Sequence, residues 1–187
     1  MKKIIIFASG SGSNAEKIIL HFQDKAKAKV VAVFCNNAQA MVIERAKNLK
    51  VPVVVFTKKE LEENTVCEKM ALFNPDLIVL AGFLLKIPKR MITTYPNKII
   101  NIHPALLPKY GGKGMYGENV HRAVLENQEK TTGITIHFVN EEYDEGNTIF
   151  QKETIITDCK TPQEIAQKVH QLEHEYFSKV IEELLSK

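Results

Sequence analysis

An asparagine and a histidine lie two residues apart in the run Asn101-Ile102-His103-Pro104, directly after a stretch of β-branched residues. Residues two apart on an extended strand point to the same side of it. An amide can donate a hydrogen bond to a developing oxyanion, and an imidazole can carry a proton near neutral pH. The pair therefore predicts a site that stabilises an oxyanion and moves a proton, unless the two side chains only fix the turn after the strand.

A glycine-rich turn, Ser9-Gly10-Ser11-Gly12-Ser13-Asn14, separates the first apolar stretch from a helical pattern. Glycines let the backbone approach a ligand closely, and the free N–H groups and dipole of a helix N-terminus favour an anion. A dinucleotide site is not indicated, because a third glycine is missing and the second predicted strand ends in Asn36-Asn37 rather than in an acidic residue. The turn predicts either a phosphate site or a plain helix start capped by Ser or Asn.

Two later segments could complete such a site. Residues 105–118 contain four glycines and little periodicity, and loops of this length are usually functional or disordered. The acidic stretch 140–146 holds several carboxylates, most of which are expected to be surface charge. Asp144 is the best placed of them to pair with His103, and such a pair would raise the pKa of the imidazole above about 6.5.

Seven short apolar runs predict strands, and segments with helical spacing separate the first five of them. The strands are expected at 3–8, 29–35, 51–56, 76–81, 98–102, 133–139 and 148–157, and the main helices at 15–22, 39–49, 60–73, 88–94 and 161–185. The early strands are almost continuously apolar, as in a parallel sheet with helices on both faces. The last strand alternates, which is typical of a half-exposed edge or antiparallel strand.

This order predicts an α/β fold: a single domain over residues 1–187, Rossmann-like and doubly wound, with a mostly parallel seven-stranded sheet and an antiparallel C-terminal strand. Composition agrees, since 44% of the residues are hydrophobic and 25% are charged, which is ordinary for a soluble globular protein. The net charge of +3 does not indicate a nucleic-acid partner. The three cysteines are far apart in sequence, which indicates reduced thiols and a cytoplasmic location without targeting or membrane segments.

The motifs together resemble the folate-dependent formyltransferase family, and within it the members that act on glycinamide ribonucleotide. The matching segments cover nearly the whole chain: Ser11-Gly12-Ser13-Asn14, Leu80-Ala81-Gly82-Phe83, Asn101-Ile102-His103-Pro104, Leu106-Leu107-Pro108-Lys109, residues 133–139, Tyr143-Asp144-Glu145-Gly146 and Glu173-His174. Related transferases that modify initiator tRNA or nucleotide sugars share the asparagine, histidine and aspartate but carry extra domains.

The resemblance implies three groups of site residues. Asn101, His103 and Asp144 would be catalytic. The ribonucleotide would be bound by Gly12, Ser13, Asn14, His170 and Glu173. The folate would be bound by Lys59, Leu84, Leu85, Lys86, Ile87, Asn101, Asn140, Glu141, Glu142, Tyr143 and Asp144, with Lys59 and Leu85 at positions where many members carry arginine. The resemblance also implies a cis peptide bond at Leu107-Pro108.

The reaction that the resemblance implies is direct transfer of a formyl group from 10-formyltetrahydrofolate to the amine of glycinamide ribonucleotide, in a monomer or weak homodimer that needs no metal. The alternatives are a formyltetrahydrofolate hydrolase, a formyltransferase for another amine, and a phosphate- or nucleotide-binding module without catalysis. Two other histidines are expected to be structural: His137, packed within a strand, and His121, solvated on a helix.

Overall fold

The computed structural model describes residues 1–186, in which seven strands and seven helices follow one another along the chain. In order they are β1 (Lys2–Ala8), α1 (Ser13–Phe22), β2 (Ala28–Cys35), α2 (Met41–Asn48), β3 (Val53–Val55), α3 (Lys58–Glu62), α4 (Thr65–Ala71), β4 (Leu77–Leu80), α5 (Lys89–Thr94), β5 (Ile99–His103), α6 (Glu118–Glu126), β6 (Thr131–Phe138), β7 (Thr148–Ile155) and α7 (Pro162–Leu185).

All seven strands form one sheet in the order β3-β2-β1-β4-β5-β6-β7. The first five are mutually parallel, β6 pairs antiparallel with β5, and β7 pairs antiparallel with β6. The predicted α/β fold with a mostly parallel seven-stranded sheet and an antiparallel C-terminal strand is therefore confirmed. Strand β6 runs opposite to β1–β5. Strand β7 reverses direction again and therefore runs the same way as β1–β5.

The apolar strands are buried on both faces, because helices cover each side of the sheet. Along β1, Ile4 and Ile6 belong to one core, whereas Ile5 and Phe7 belong to the other. Helices α1, α2, α6 and α7 pack over the first core, and α3, α4 and α5 over the second. Burying one such aliphatic side chain contributes roughly 1.5–3 kcal/mol, so both faces stabilise the central strands.

The segment expected to be one helix at 60–73 is two short helices. Thr57 forms a capping box with Glu60, which starts α3 at Lys58, earlier than predicted. The chain then turns at Asn64, whose φ of 75° is left-handed, a conformation that asparagine tolerates better than most residues. Hydrophobic periodicity continues through this turn, and it therefore does not reveal the break.

The C-terminal helix α7 starts where the sequence predicted. Thr161 accepts a hydrogen bond from the backbone N–H of Glu164 in a capping box, with Pro162 in the first turn. The helix packs against α1, α6 and β6, which places its middle beside the start of α1. No helix within residues 1–186 is long and apolar enough to cross a membrane.

The neighbours β1 and β4 mark the place where the winding of the sheet reverses. The chain after β1 continues into α1 on one face, and the chain after β4 continues toward α5 on the other face. Loops that leave on opposite faces open a crevice at the carboxyl ends of the strands, which is the usual ligand site of open α/β sheets. The two loops remain joined at their base by a hydrogen bond from the Ser9 N–H to the Gly82 carbonyl.

Candidate active site

A cleft of about 750 Å³ lies at this edge of the sheet. Its walls are the turn after β1 (10–14), the end of β4 with the following loop (80–87), the end of β5 (101–104), the loop before α6 (112–118), residues 139, 140 and 142–144 after β6, and side chains of α6 and α7 that include His121, His170 and Glu173. The cleft therefore brings together the three catalytic candidates, the glycine-rich turn and most of the predicted folate contacts.

Asn101 is oriented by a histidine on the neighbouring strand. It lies opposite His137 in the β5–β6 ladder, and its Nδ2 is 3.2 Å from the His137 Nε2. The other ring nitrogen, Nδ1, donates to the Phe138 carbonyl 2.9 Å away, which leaves Nε2 of the neutral ring as an acceptor. One amide hydrogen of Asn101 is thus used by His137, and the second is free to donate into the cleft.

His103 is buried and held by a hydrogen bond at one ring nitrogen. Its Nε2 donates to the carbonyl of Tyr110 at 2.7 Å, and its Nδ1 faces the Asp144 Oδ2 at 3.6 Å. Since a carbonyl can only accept, the neutral ring carries its hydrogen on Nε2 and presents a bare lone pair at Nδ1. The imidazole is therefore oriented as a base, with a carboxylate beside the atom that would receive the proton.

The expectation that the pKa of His103 is raised is wrong for this structure. Burial favours the neutral ring and lowers the pKa below the ordinary value of 6.5, while the charge of Asp144 and the Tyr110 carbonyl act in the opposite direction. The sequence indicated the carboxylate partner but not the depth of burial. The neutral imidazole consequently predominates at neutral pH.

Asp144 links the two histidines. Its Oδ1 lies 3.5 Å from the His137 Nε2, and its Oδ2 accepts a hydrogen bond from the Gly112 N–H at 2.9 Å. Burial raises the pKa of this carboxyl, but the Gly112 N–H and the two histidines, whose protonated forms favour a neighbouring carboxylate, together outweigh burial and lower it below the ordinary value of 3.8. Asp144 is therefore a carboxylate throughout the neutral range.

The predicted ribonucleotide contacts meet at the α1 end of the cleft. Glu173, buried on α7, accepts hydrogen bonds from the Asn14 Nδ2 and from the His170 Nδ1, each at 2.8 Å. The pKa of His170 is raised chiefly by this hydrogen bond to Glu173. The Asn14 Oδ1 is buried and has no hydrogen-bond partner within residues 1–186. This end of the cleft thus combines the N-terminus of α1 with an acidic group and a histidine.

The opposite end of the cleft is apolar, with polar backbone groups. Leu84, Leu85 and Ile87 line it beside Val139 of the β6–β7 loop. Lys86 joins the loop after β4 to the loop after β6, since its Nζ lies 4.8 Å from the centre of the Tyr143 ring. A flat aromatic group would therefore find apolar walls on either side.

Two predicted folate residues do not line the cleft. Lys59 lies exposed on α3 and pairs with Glu63 at 3.6 Å. Glu141 points away from the cleft and pairs with Lys89 at 3.0 Å, which ties the acidic loop to α5. The resemblance placed both by their position in the sequence, whereas the direction of α3 and of the loop decides where their side chains lie.

Sequence reasoning missed three contributors to the cleft. His121, expected to be solvated, is only 4% exposed because its face of α6 packs toward α7, and this expectation was wrong. Tyr110 and Gly112 contact the catalytic candidates through backbone atoms, as described above. The glycine-rich composition of the long loop 105–118 was the available indication for Gly112, and nothing in the sequence singled out the carbonyl of Tyr110.

Comparison with known proteins agrees with this geometry. The family model described as formyl transferase matches residues 2–181. The chloroplastic phosphoribosylglycinamide formyltransferase of Arabidopsis thaliana is 38% identical over 96% of the chain, which spans 64% of that protein's length. The phosphoribosylglycinamide formyltransferase of Bacillus subtilis is also 38% identical, over 99% of the chain and 95% of the relative.

Solved structures give the same result at the level of the fold. The crystal structure of phosphoribosylglycinamide formyltransferase from Bacillus halodurans superposes with a TM-score of 0.89 at 32% identity, covering 100% of this chain and 96% of that one. The corresponding structure from Anaplasma phagocytophilum superposes with a TM-score of 0.91 at 28% identity, over 99% of this chain and 87% of that one. With a family model that matches nearly the whole length and relatives this similar, the chain belongs to the formyl transferase family.

Proposed function

We propose that the chain transfers the formyl group of 10-formyltetrahydrofolate to the primary amine of glycinamide ribonucleotide, a step of purine biosynthesis. The observation that carries the proposal is the meeting of Asn101, His103 and Asp144 in the middle of one cleft, between a helix N-terminus and an apolar pocket. Relatives named phosphoribosylglycinamide formyltransferase over nearly the whole chain support this substrate pair.

The start of α1 suits the phosphate of the ribonucleotide. Gly12 precedes the helix in a left-handed conformation with φ 74°, and no side chain caps the first turn, so its N–H groups are available to an anion. Arg45 donates to the Ser11 carbonyl at 2.9 Å and pairs with Glu16, which fixes the turn. Glu173 and Asn14 would then contact the polar part of the nucleotide nearer to the amine.

The other end of the cleft suits the pterin ring of the folate. Its walls at Leu84, Leu85 and Ile87 are apolar, and Lys86 and Tyr143 contact each other beside them. The loop after β4 is held in place because the Ser9 hydroxyl accepts a hydrogen bond from the Leu84 N–H at 3.0 Å. The formyl group, carried on the nitrogen that links the pterin to the aminobenzoate, would then lie near Asn101 and His103.

In the first step, the amine lone pair attacks the formyl carbon and the carbonyl π electrons move to oxygen. The tetrahedral adduct then carries an oxyanion and an ammonium. The free amide hydrogen of Asn101 donates to the oxyanion, and the bare Nδ1 of His103 accepts a proton from the ammonium. Asp144 stabilises the imidazolium that results, at 3.6 Å.

In the second step, the oxyanion re-forms the carbonyl and expels the folate nitrogen. That nitrogen takes the proton from the His103 imidazolium, which restores the neutral ring. The products are the formylated amine and tetrahydrofolate, and no proton is gained or lost overall. His103 acts as base and then as acid, which fits a ring whose pKa lies below 6.5 when the cleft is free of ligand.

One assay tests the proposal. The chain is mixed with 10-formyltetrahydrofolate, with and without glycinamide ribonucleotide, and tetrahydrofolate, formate and the formylated nucleotide are quantified. We expect tetrahydrofolate to appear only with the amine and in equal amount to the formylated nucleotide, and the Asn101→Ala variant serves as the blank. Formate without the amine would indicate a hydrolase, and ligand binding without any product would indicate a binding module. Either result would overturn the proposal.

A further inference from the structure

We propose that the turn Tyr110-Gly111-Gly112 holds His103 and Asp144 in their reactive arrangement, each through one backbone group. The inference rests on the function proposed above, since it concerns the same reaction. The turn lies in the loop 105–118, which the sequence indicated as a segment that could complete the site, without a specific role for any of its residues.

The first contact orients the base. The Tyr110 carbonyl accepts from the His103 Nε2 at 2.7 Å, which fixes the tautomer that leaves Nδ1 bare. Tyr110 itself has a φ of 58°, which is uncommon for a residue with a side chain. Its hydroxyl donates to the Glu129 Oε1 at 2.9 Å, which also accepts from Lys109, and this anchor holds the carbonyl toward His103.

The second contact orients the carboxylate. The Gly112 N–H donates to the Asp144 Oδ2 at 2.9 Å, and that same oxygen is the one that faces His103. A carboxylate near two histidines could rotate toward either of them. A fixed N–H donor on Oδ2 therefore selects the rotamer that keeps one oxygen beside His103 and the other beside His137.

Glycines allow the turn to reach both groups. A Cβ at Gly111 would lie 2.6 Å from the Leu107 Cδ2 and 3.2 Å from the Asp144 Cβ, so the backbone packs directly on the catalytic carboxylate. Gly112 has a φ of 95°, which an L side chain rarely adopts, although the space around it is open. A side chain at 112 would thus change the direction of its N–H without a steric clash elsewhere.

The other ionisable groups around His103 and Asp144 come from three elements. They are His137 on β6, His121 on α6 and, farther off, Glu173 on α7, whose charge also acts on His103. The turn itself contributes no charge at the contact, only the Gly112 N–H and the Tyr110 carbonyl. Loss of that N–H would withdraw a donor that stabilises the Asp144 carboxylate, without altering any of the neighbouring charges.

The test compares Gly112→Ala with Asn97→Ala. Asn97 is exposed, has a φ of 56° and lies outside the cleft, so its replacement puts alanine in a left-handed backbone conformation without touching the proposed contacts. We expect Gly112→Ala to lose on the order of ten- to a hundred-fold in kcat with little change in either KM, and Asn97→Ala to stay within about threefold of the parent. Thermal melts of both variants should show the same small loss of stability.

A second measurement separates positioning from structure and does not depend on turnover. NMR titration of the ligand-free protein should give a higher pKa for Asp144 in Gly112→Ala than in the parent and in Asn97→Ala. Tyr110→Phe, which loses only the anchor to Glu129, should lower kcat more than Lys109→Met, which removes the other partner of that glutamate. Unchanged Asp144 titration in Gly112→Ala, or equal kcat losses in Gly112→Ala and Asn97→Ala, would overturn the inference. If Asp144 titrates differently in Gly112→Ala but the parent protein does not transfer the formyl group, only the proposed function would be overturned.

Discussion

At His103, burial lowers the pKa of the imidazole and the neighbouring carboxylate of Asp144 raises it, and burial has the larger effect. The outcome determines the role of the residue. A ring kept charged could only donate, whereas a neutral ring with its Nε2 hydrogen held by Tyr110 can accept a proton at Nδ1 and return it. Asp144 then matters most when the ring becomes charged during the reaction, because a buried imidazolium without a counter-charge would be costly.

Replacement of Asp144 by asparagine keeps the shape of the carboxylate and removes its charge. We expect a loss of kcat on the order of 10²-fold or more, with both KM values nearly unchanged. The acidic limb of the kcat/KM profile, which reports His103, should move to lower pH because Asp144 acts to raise that pKa. Glu145→Gln is the control, since this exposed neighbour lies outside the cleft. Full activity of Asp144→Asn would show that another group stabilises the imidazolium.

Among the secondary-structure elements, two loops that leave the sheet on opposite faces form the two ends of the cleft. The turn after β1 enters α1 at the anion end, and the loop after β4 forms the apolar end. Both contain a glycine in the left-handed region, Gly12 with φ 74° and Gly82 with φ 72°. They differ in their surroundings, because a Cβ at Gly12 would lie 2.4 Å from Val42, whereas nothing lies within 4 Å of one at Gly82.

Replacing these two glycines should affect the binding of different substrates. Gly12→Ala should raise the KM for the ribonucleotide at least tenfold and leave the KM for the folate within about twofold, because the clash with Val42 displaces the start of α1. Gly82→Ala should affect the folate KM more, because its backbone strain falls on the loop that carries Leu84. Unfolding in denaturant should show the larger loss of stability in Gly12→Ala. Equal effects of Gly12→Ala on both substrates would contradict the assignment of the phosphate to α1.

At the scale of the whole molecule, the packing of α6 and α7 onto the sheet buries several histidines. Burial lowers the pKa of His103, His121 and His174, and only for His170 does a hydrogen bond to Glu173 raise it. An unfolded histidine binds its proton near pH 6.5, while the three with lowered pKa bind theirs only at lower pH. The unfolded state therefore takes up more protons as the pH falls through 6.5.

The free energy of unfolding should consequently decrease between about pH 7 and pH 5, with a lower melting temperature at pH 5. The contribution of His170 has the opposite sign, since it is present below pH 6.5 and is lost as the pH rises through its folded-state pKa. His121→Gln should flatten the decrease, because this histidine is buried with no partner at Nδ1 within residues 1–186. A melting temperature that stays constant or rises toward pH 5 would show that His170 outweighs the other three.

Much of this protein was determined by local sequence alone. Alternation along a strand put Asn101 and His103 on one side, apolar runs separated by helical spacing predicted the seven strands, and the turn at Gly12 indicated either an anion site or a capped helix start. These features depend on neighbours within a few residues, for which backbone geometry is regular.

Contacts that join distant segments depend on how the loops and helices pack. Examples are the approach of Asp144 to His103, the burial of His121, the hydrogen bonds made by the backbone of Tyr110 and Gly112, and the position of Lys59 outside the cleft. Residues in these contacts are separated by tens of positions, and no periodicity specifies the direction in which a loop returns. Burial likewise reversed the expected pKa of His103, because desolvation is a property of the packed molecule and not of the residues next to it in the chain.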